Sequence, residues 1–405
     1  MKSYIIYRRQ VQLLVVLTLF FACFTACKKE ETNTSSAAPV IRNLRAIAPA
    51  PNDSTLTKVS PGQLVVLQGD NFLGVKAVYF NGVIASFNAA LVGKQNLVVT
   101  VPEPDFANPV AGQENQVRII TNAGETTFTI PLVPPPPVIT GVDYEYKAPG
   151  QVLTIYGQYL YLITKVAFAG GDGTNVQSNQ TGTAMQVTIP ASATSGHIVV
   201  TTQGGSSSYV SYNDRTNGIF SNFDAINPFQ YWSASQTNDA SLFPGAIGNY
   251  VQMKFDNVGI NDQAWYNGGR SINMNDGQWI PQASLSDPTD SWAVKFDIFV
   301  KEPWKTGALL IRTDSYDYMA RYEPWKTAVG NSFTTTGWIT VTLPMSSFKK
   351  AAAGFQGTGE SIANLSTLLG TSGRKAMSFM FYNDSSTPIA KFDAAVDNIR
   401  IVKIK

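Results

Sequence analysis

Two pairs of adjacent aromatic residues stand in sequence too polar and too rich in Gly and Asn for a core strand. Tyr231-Trp232 is flanked by Asn227, Pro228, Gln230, Ser233 and Ser235. Trp265-Tyr266 lies between Asn261-Asp262-Gln263-Ala264 and Asn267-Gly268-Gly269-Arg270. Large rings on loops are suited to ligand contact. A sugar offers one apolar face of axial C–H groups that stacks on such a ring, and its hydroxyls then need Asn, Gln, Asp, Arg or Lys around the rim. A flat run of two or three rings would hold a β-linked glucan chain, weak contacts adding along the polymer. The same rings could instead plug loops onto the fold. A local duplication leaves the same two readings open: Glu302-Pro303-Trp304-Lys305-Thr306 recurs as Glu323-Pro324-Trp325-Lys326-Thr327. The proline favours an extended entry, so Trp304 and Trp325 are either paired structural plugs or a second part of a groove, with Arg312, Tyr316, Tyr318, Arg321 and Tyr322 nearby in sequence.

Other chemistries are poorly supplied. His197 is the only histidine, which excludes His-based triads and multi-His metal sites. Glycoside hydrolysis needs two carboxylates across a cleft. Asp262, Asp276, Asp314 and Glu323 are available, but none sits in a signature, and Asp297 and Asp397 read as structural strand residues. The chain therefore reads as a non-enzyme. No calcium loop of the D-x-[DN]-x-[DN]-G kind is present, and neither a metal nor a cofactor is expected.

The elements that must position the rings read as β-strands. All seven tryptophans lie beyond Gly218. Short alternating runs such as Gln63 to Gln68 and Trp338 to Leu343 are bounded by turn residues, and long runs of helical period are absent. In SWAVKFDIFV, Trp292 alternates with Val294, Phe296 and Ile298 and is expected in a core. Trp338 is assigned there too, although its alternation with Thr340 and Thr342 would also fit an outward face. An internal repeat sets the domain plan. Pro61-Gly62-Gln63 recurs as Pro149-Gly150-Gln151, and Gly69, Val78, Phe80 and Val99-Thr100-Val101-Pro102 match Gly157, Val166, Phe168 and Val187-Thr188-Ile189-Pro190, all at an offset of 88. Each copy reads as a Pro-Gly turn feeding a strand that ends at a glycine, where a positive φ costs little. Pro134 to Pro137 between the copies is a stiff polyproline-type spacer.

The N-terminus reads as an export signal. Lys2, Arg8 and Arg9 precede an apolar run from Val11 to Ala22, too short to span a bilayer. Phe24-Thr25-Ala26-Cys27 follows and resembles the lipobox of bacterial lipoproteins, which implies lipidation at Cys27. The other cysteine, Cys23, would be lost with the signal, leaving no disulfide to make. Three of the thirty basic residues would also be lost, leaving 27 basic against 28 acidic residues. That balance argues against capture of nucleic acid. Lys28-Lys29-Glu30-Glu31 resembles the signal that sends lipoproteins of Bacteroidota to the outer face of the outer membrane, and Thr32 to Ala38 reads as a tether.

PGQLVVLQG and PGQVLTIYG resemble the P-G-x-x-[VIL]-x-[VIL]-x-G pattern of the IPT/TIG domain, an immunoglobulin-like fold. The closing FDAAVDNIRIVKI resembles the last strand of jelly-roll carbohydrate-binding modules. The expected fold is all-β: two tandem IPT/TIG-like sandwiches and a larger jelly-roll-like sandwich. The expected segments are 1–26 (signal), 27–38 (tether), 39–134, 135–213 and 214–405. The arrangement resembles the type B surface glycan-binding proteins of Bacteroidota polysaccharide-utilisation loci, with a C-terminal xyloglucan-binding-type domain. That resemblance implies a lipid-anchored outer-membrane protein that captures a plant-type β-glucan and works with a TonB-dependent transporter complex. It implies a platform of Trp232, Trp265 and Tyr266; Tyr231, Trp304 and Trp325 are further candidates from their own sequence context. An adhesin using the immunoglobulin-like copies to meet another protein is the competing reading.

Overall fold

The computed structural model describes residues 35–106, 108–228 and 234–405. Cys27 and the segment around it, and the pair Tyr231-Trp232, lie outside the described residues. The chain divides into two compact units, Met1–Pro135 and Pro136–Lys405.

The described residues of the first unit form a sandwich of eight strands: β1 (Val40–Ala46), β2 (Leu64–Asp70), β3 (Val75–Phe80), β4 (Val83–Ile84), β5 (Ser86–Phe87), β6 (Asn96–Thr100), β7 (Gln116–Thr121) and β8 (Gly124–Thr129). They form two sheets, β1-β2-β6-β5 and β4-β3-β7-β8. Alternate residues of both, such as Val65, Leu67, Val78, Phe80, Leu97, Val99, Val117 and Ile119, meet in one core, as the two-residue period of a strand requires.

The second unit begins with a sandwich of the same plan: β9 (Val138–Val142), β10 (Val152–Gln158), β11 (Ile163–Phe168), β12 (Gly171–Asp172), β13 (Thr174–Ser178), β14 (Ala184–Thr188), β15 (Gly196–Thr202) and β16 (Gly205–Tyr212). Its sheets are β13-β14-β10-β9 and β12-β11-β15-β16. The repeated glycines have a different cause from the one expected. Positive φ falls on the turn residues Gly62 and Gly150, at +75° and +85°. Gly69 and Gly157, at the strand ends, are needed for close approach. A Cβ there would sit 1.7 Å from the Val40 carbonyl oxygen and 2.0 Å from that of Val138, with the ladder register shifting beside each site.

The C-terminal sandwich follows: β17 (Ile219–Ser221), β18 (Ser235–Thr237), β19 (Tyr250–Val258), β20 (Ser271–Gln278), β21 (Trp292–Val300), β22 (Ala308–Thr313), β23 (Met319–Tyr322), β24 (Ile339–Pro344), β25 (Arg374–Tyr382) and β26 (Ile389–Lys403). One sheet runs β18-β19-β26-β21-β24, with β17 also on β26; the other runs β20-β25-β22-β23. Trp292, Val294, Phe296 and Ile298 face Phe379, Phe381 and Ile311 in the main core. The all-β architecture expected from the alternation is the one observed.

The outer face of the first of these sheets is covered by the preceding sandwich. The β9–β10 connection lays Tyr144 and Tyr146 against Phe243, Tyr250, Phe299, Trp338 and Ala395. Between the tyrosines, Glu145 is fully buried and pairs with Lys295 at 2.5 Å and with Arg400. The Tyr209 hydroxyl also bonds to it. Thr340 N–H donates to the Asp143 carbonyl at 2.9 Å, and Glu145 N–H to Thr340 Oγ1 at 3.1 Å. Trp338 therefore does face outward from its own sheet, and the neighbouring sandwich buries it.

Candidate functional site

The sheet β20-β25-β22-β23 has two unlike faces. Leu309, Ile311, Phe379 and Phe381 enter the main core, while Ala308, Leu310, Met319, Met380 and Tyr382 form a separate apolar layer on the opposite side. Ser271, Met380, Leu310 and Arg321 line up across the four strands, and Asn273, Ser378, Arg312 and Met319 form the next row. Trp265 packs on this outer layer.

Trp265 and Tyr266 lie in the connection from β19 to β20, which Arg270 closes. Arg270 is 2 % exposed. Its Nη1 pairs with Asp262 Oδ1 at 3.1 Å, and its Nη2 donates to the Asp262 carbonyl at 2.7 Å. Nε and Nη2 reach the Phe381 carbonyl at 3.3 and 3.2 Å. Asp262 Oδ1 accepts Ala264 N–H at 2.9 Å. The Asp262 carbonyl also accepts Asn383 N–H at 3.0 Å, so the loop is tied to the end of β25. Burial alone would raise the Asp262 carboxyl, but the Ala264 N–H and the Arg270 guanidinium outweigh it and hold it below the usual range.

A third ring comes from the turn between β22 and β23. Tyr316 has φ of +61°, a region rarely entered by a bulky residue. Its ring lies 6.5 Å from that of Trp265, tilted by 47°. Tyr266 meets Trp265 at 5.7 Å and 79°. The described rings thus form a corner and not the flat run expected. Trp265 is pressed onto the sheet, while its neighbour Tyr266 projects and is 58 % exposed; Tyr316 is 47 % exposed. In sequence Tyr316 neighbours the Pro-Trp repeats, and the sheet register brings it to Trp265 instead. A tyrosine in a polar Asp-Ser-Tyr-Asp turn was the available signal. Polar groups surround the layer. Asn273 Oδ1 accepts from Ser378 Oγ at 2.8 Å. Arg321 holds Asp384, Glu323 and the Gln356 carbonyl at 2.8, 2.9 and 2.8 Å.

The duplicated tryptophans go elsewhere. Trp304 is 2 % exposed, ringed by Tyr322, Phe333, Phe381 and Phe392, so it belongs to the core and not to a groove. Trp325 is half-buried against the same core. Both indoles donate to one acceptor, the Gly307 carbonyl, at 3.3 and 2.9 Å. The matching Pro-Trp segments thus anchor their indoles on one carbonyl, Trp304 within the core and Trp325 half-buried against it.

The carboxylates considered for hydrolysis are all engaged. Asp262 pairs with Arg270, Asp276 with Arg374, Asp314 with Lys375 and Glu323 with Arg321. Burial pushes Glu323 up, but hydrogen bonds from Arg321 and Lys326 hold it below the ordinary carboxylate range, the wrong direction for a general acid. Asp297 and Asp397, whose acidity burial does weaken, face the preceding sandwich beside Tyr144. No group of three or more His, Cys, Asp or Glu among the described residues is arranged to hold a metal ion.

Comparison with known proteins concerns the domain that carries these rings. The family model for the surface glycan-binding protein B xyloglucan binding domain matches residues 212–403. An IPT/TIG domain-containing protein of Bacteroides ovatus is 29 % identical over 204 residues, covering 46 % of this chain and 41 % of that one. The chain thus spans about two fifths of the length of that curated relative. Among solved structures, the surface glycan-binding protein PbSGBP-B from Prevotella bryantii shares the fold, with a TM-score of 0.66 at 20 % identity, over 92 % of this chain and all of that one. A similar protein from a complex xyloglucan utilization locus in Bacteroides uniformis has a TM-score of 0.47 at 16 % identity, over 90 % of this chain and 99 % of that one. Residues 212–403 thus match the surface glycan-binding protein B xyloglucan binding domain, and the chain as a whole shares the fold of the Prevotella bryantii surface glycan-binding protein.

Proposed function

We propose that the chain is a non-catalytic receptor for a plant-type β-glucan such as xyloglucan. The observation that carries this is the exposed aromatic corner of Trp265, Tyr266 and Tyr316 on a polar-rimmed sheet face, within a domain of that family. The sugar's C–H face stacks on the rings and its hydroxyls bond the surrounding Asn, Ser and Arg groups. Trp232, outside the described residues, is a further candidate for sugar contact from its sequence context alone. Each ring contributes modestly, so polymer binds better than short oligomers.

In the same reading the chain is lipidated at Cys27, sits on the outer face of the outer membrane, and passes glycan to a TonB-dependent transporter complex. The charge pattern of Lys28 to Glu31 supports the outward address, and the family's surface-binding character supports the location. Depletion of soluble xyloglucan and mixed-linkage glucan by the full chain tests the binding role. Depletion of neither would contradict it, and depletion unchanged in the Trp232→Ala, Trp265→Ala double variant would contradict the site assignment. Release of reducing ends by the purified chain would instead indicate an enzyme.

A further inference from the structure

We propose that Arg312 is a positioning residue of the glycan-binding face, carrying the Tyr316 ring on its guanidinium and holding it beside Trp265. This rests on the reading of that face as the glycan site. Arg312 projects from β22 and is 3 % exposed. Its Nε donates to Met380 Sδ at 2.9 Å and its Nη1 to the Thr313 carbonyl at 3.3 Å. Arg270, Arg321, Arg374 and Arg400 in the same sandwich each pair with a carboxylate. No such pair exists for Arg312 among the described residues, and the acidic side chain nearest it in sequence, Asp314, pairs with Lys375 at 3.4 Å.

Two rings stand where the carboxylate would be. Arg312 Cζ lies 3.1 Å from the Tyr316 ring centroid and 5.6 Å from that of Trp265. A cation over a ring face is attracted by the ring quadrupole, most strongly when desolvated. A planar guanidinium stacks in this way, and an ammonium does not. Burial disfavours the charge on Arg312, and Tyr316 acts to restore it. The left-handed backbone of Tyr316 is a conformation its side chain does not favour. The stack beneath gives a reason for the ring to stay there. One buried cation thereby couples rings from two separate loops, the β19–β20 connection and the β22–β23 turn.

The test is a double-mutant cycle in the full chain, with affinities for a xyloglucan oligosaccharide and a mixed-linkage glucan oligosaccharide measured by calorimetric titration. Arg312→Lys keeps the charge and removes the planar stack, and Arg312→Met removes both. The expected result is that each weakens binding about five- to thirty-fold, as Tyr316→Ala does. Neither should weaken it further in the Tyr316→Ala background, and Arg312→Lys should melt with the parent. Wild-type affinity in Arg312→Lys would overturn the positioning role, as would losses that simply add to that of Tyr316→Ala. A loss of affinity in Arg312→Lys that only follows loss of the fold would overturn it too. Failure of the unaltered chain to bind either oligosaccharide would instead overturn the glycan reading on which this one rests.

Discussion

Glu145, from the second immunoglobulin-like sandwich, pairs with Lys295 of the C-terminal sandwich at 2.5 Å, and both side chains are almost wholly removed from water. Arg400 makes a second pair with the same carboxylate. One acidic residue thus compensates two buried cations across the boundary between two sandwiches, inside an aromatic layer that both contribute to. The C-terminal sandwich without its neighbour would expose that layer and leave Lys295 and Arg400 without their partner.

Glu145→Gln should therefore be strongly destabilising. Removing one partner of a buried pair leaves an uncompensated charge and costs about 3–5 kcal/mol, and here two cations lose their partner. Urea unfolding of the full chain followed by tryptophan fluorescence reads the loss, since Trp338 lies in the layer beside Glu145. A midpoint unchanged from the parent would contradict the assignment.

The acid pair beside this boundary gives a pH dependence of defined sign. Asp297 and Asp397 are register partners on β21 and β26. Burial raises Asp297 from 3.8 to about 7. Burial, then the charge of Asp297, raises Asp397 to about 9. A carboxyl whose folded pKa is raised leaves the unfolded chain with fewer protons than the folded one above pH 3.8, so stability falls as pH rises from there toward the folded value. Asp397→Asn removes one such group and lets the remaining carboxylate ionise without a neighbouring charge. Its unfolding midpoint should gain on the parent's steadily between about pH 4 and pH 7. Parallel profiles for the two proteins would show that the pair is not coupled to folding.

Trp304 and Trp325 should report on stability and not on binding. Trp304→Ala empties a fully packed core position at a cost of about 3–5 kcal/mol. Trp325→Ala should cost less because that ring is half-buried. Below the melting temperature, Trp325→Ala should bind glycan as the parent does; a selective loss of affinity with an unchanged melting temperature would return it to the site.

Much of the fold was legible in the sequence, and the exceptions have physical causes. Alternation marked the strands, and the 88-residue offset marked the repeated sandwich. The roles of Gly69 and Gly157 were not legible, because a carbonyl from another strand creates the need for them. The outward parity of Trp338 was legible, but not the sandwich that covers it. Trp265-Tyr266 was readable as a loop pair from its polar setting. Tyr316 was not, because its partners Arg312 and Trp265 come together only through sheet pairing and a left-handed turn. Trp304 sits in a polar pentapeptide and still belongs to the core, which is the plug reading of the two that its sequence left open.

Arg270→Met should release the loop that carries Trp265 and Tyr266 while leaving the sheet beneath it in place. Four hydrogen bonds to Asp262 and Phe381 are lost. Hydrogen exchange should rise selectively across residues 262–269, with affinity falling in step. Uniform exchange changes across the sandwich would argue that Arg270 serves the whole fold.

The most direct measurement is the affinity of the full chain for xyloglucan oligosaccharide, compared with that of Trp265→Ala, by calorimetric titration. Trp265 lies on the outer apolar layer and touches both Tyr266 and Tyr316, so its loss should weaken binding about tenfold or more while the fold is retained. Equal affinities in the two folded proteins would contradict the placement of the glycan site on this face.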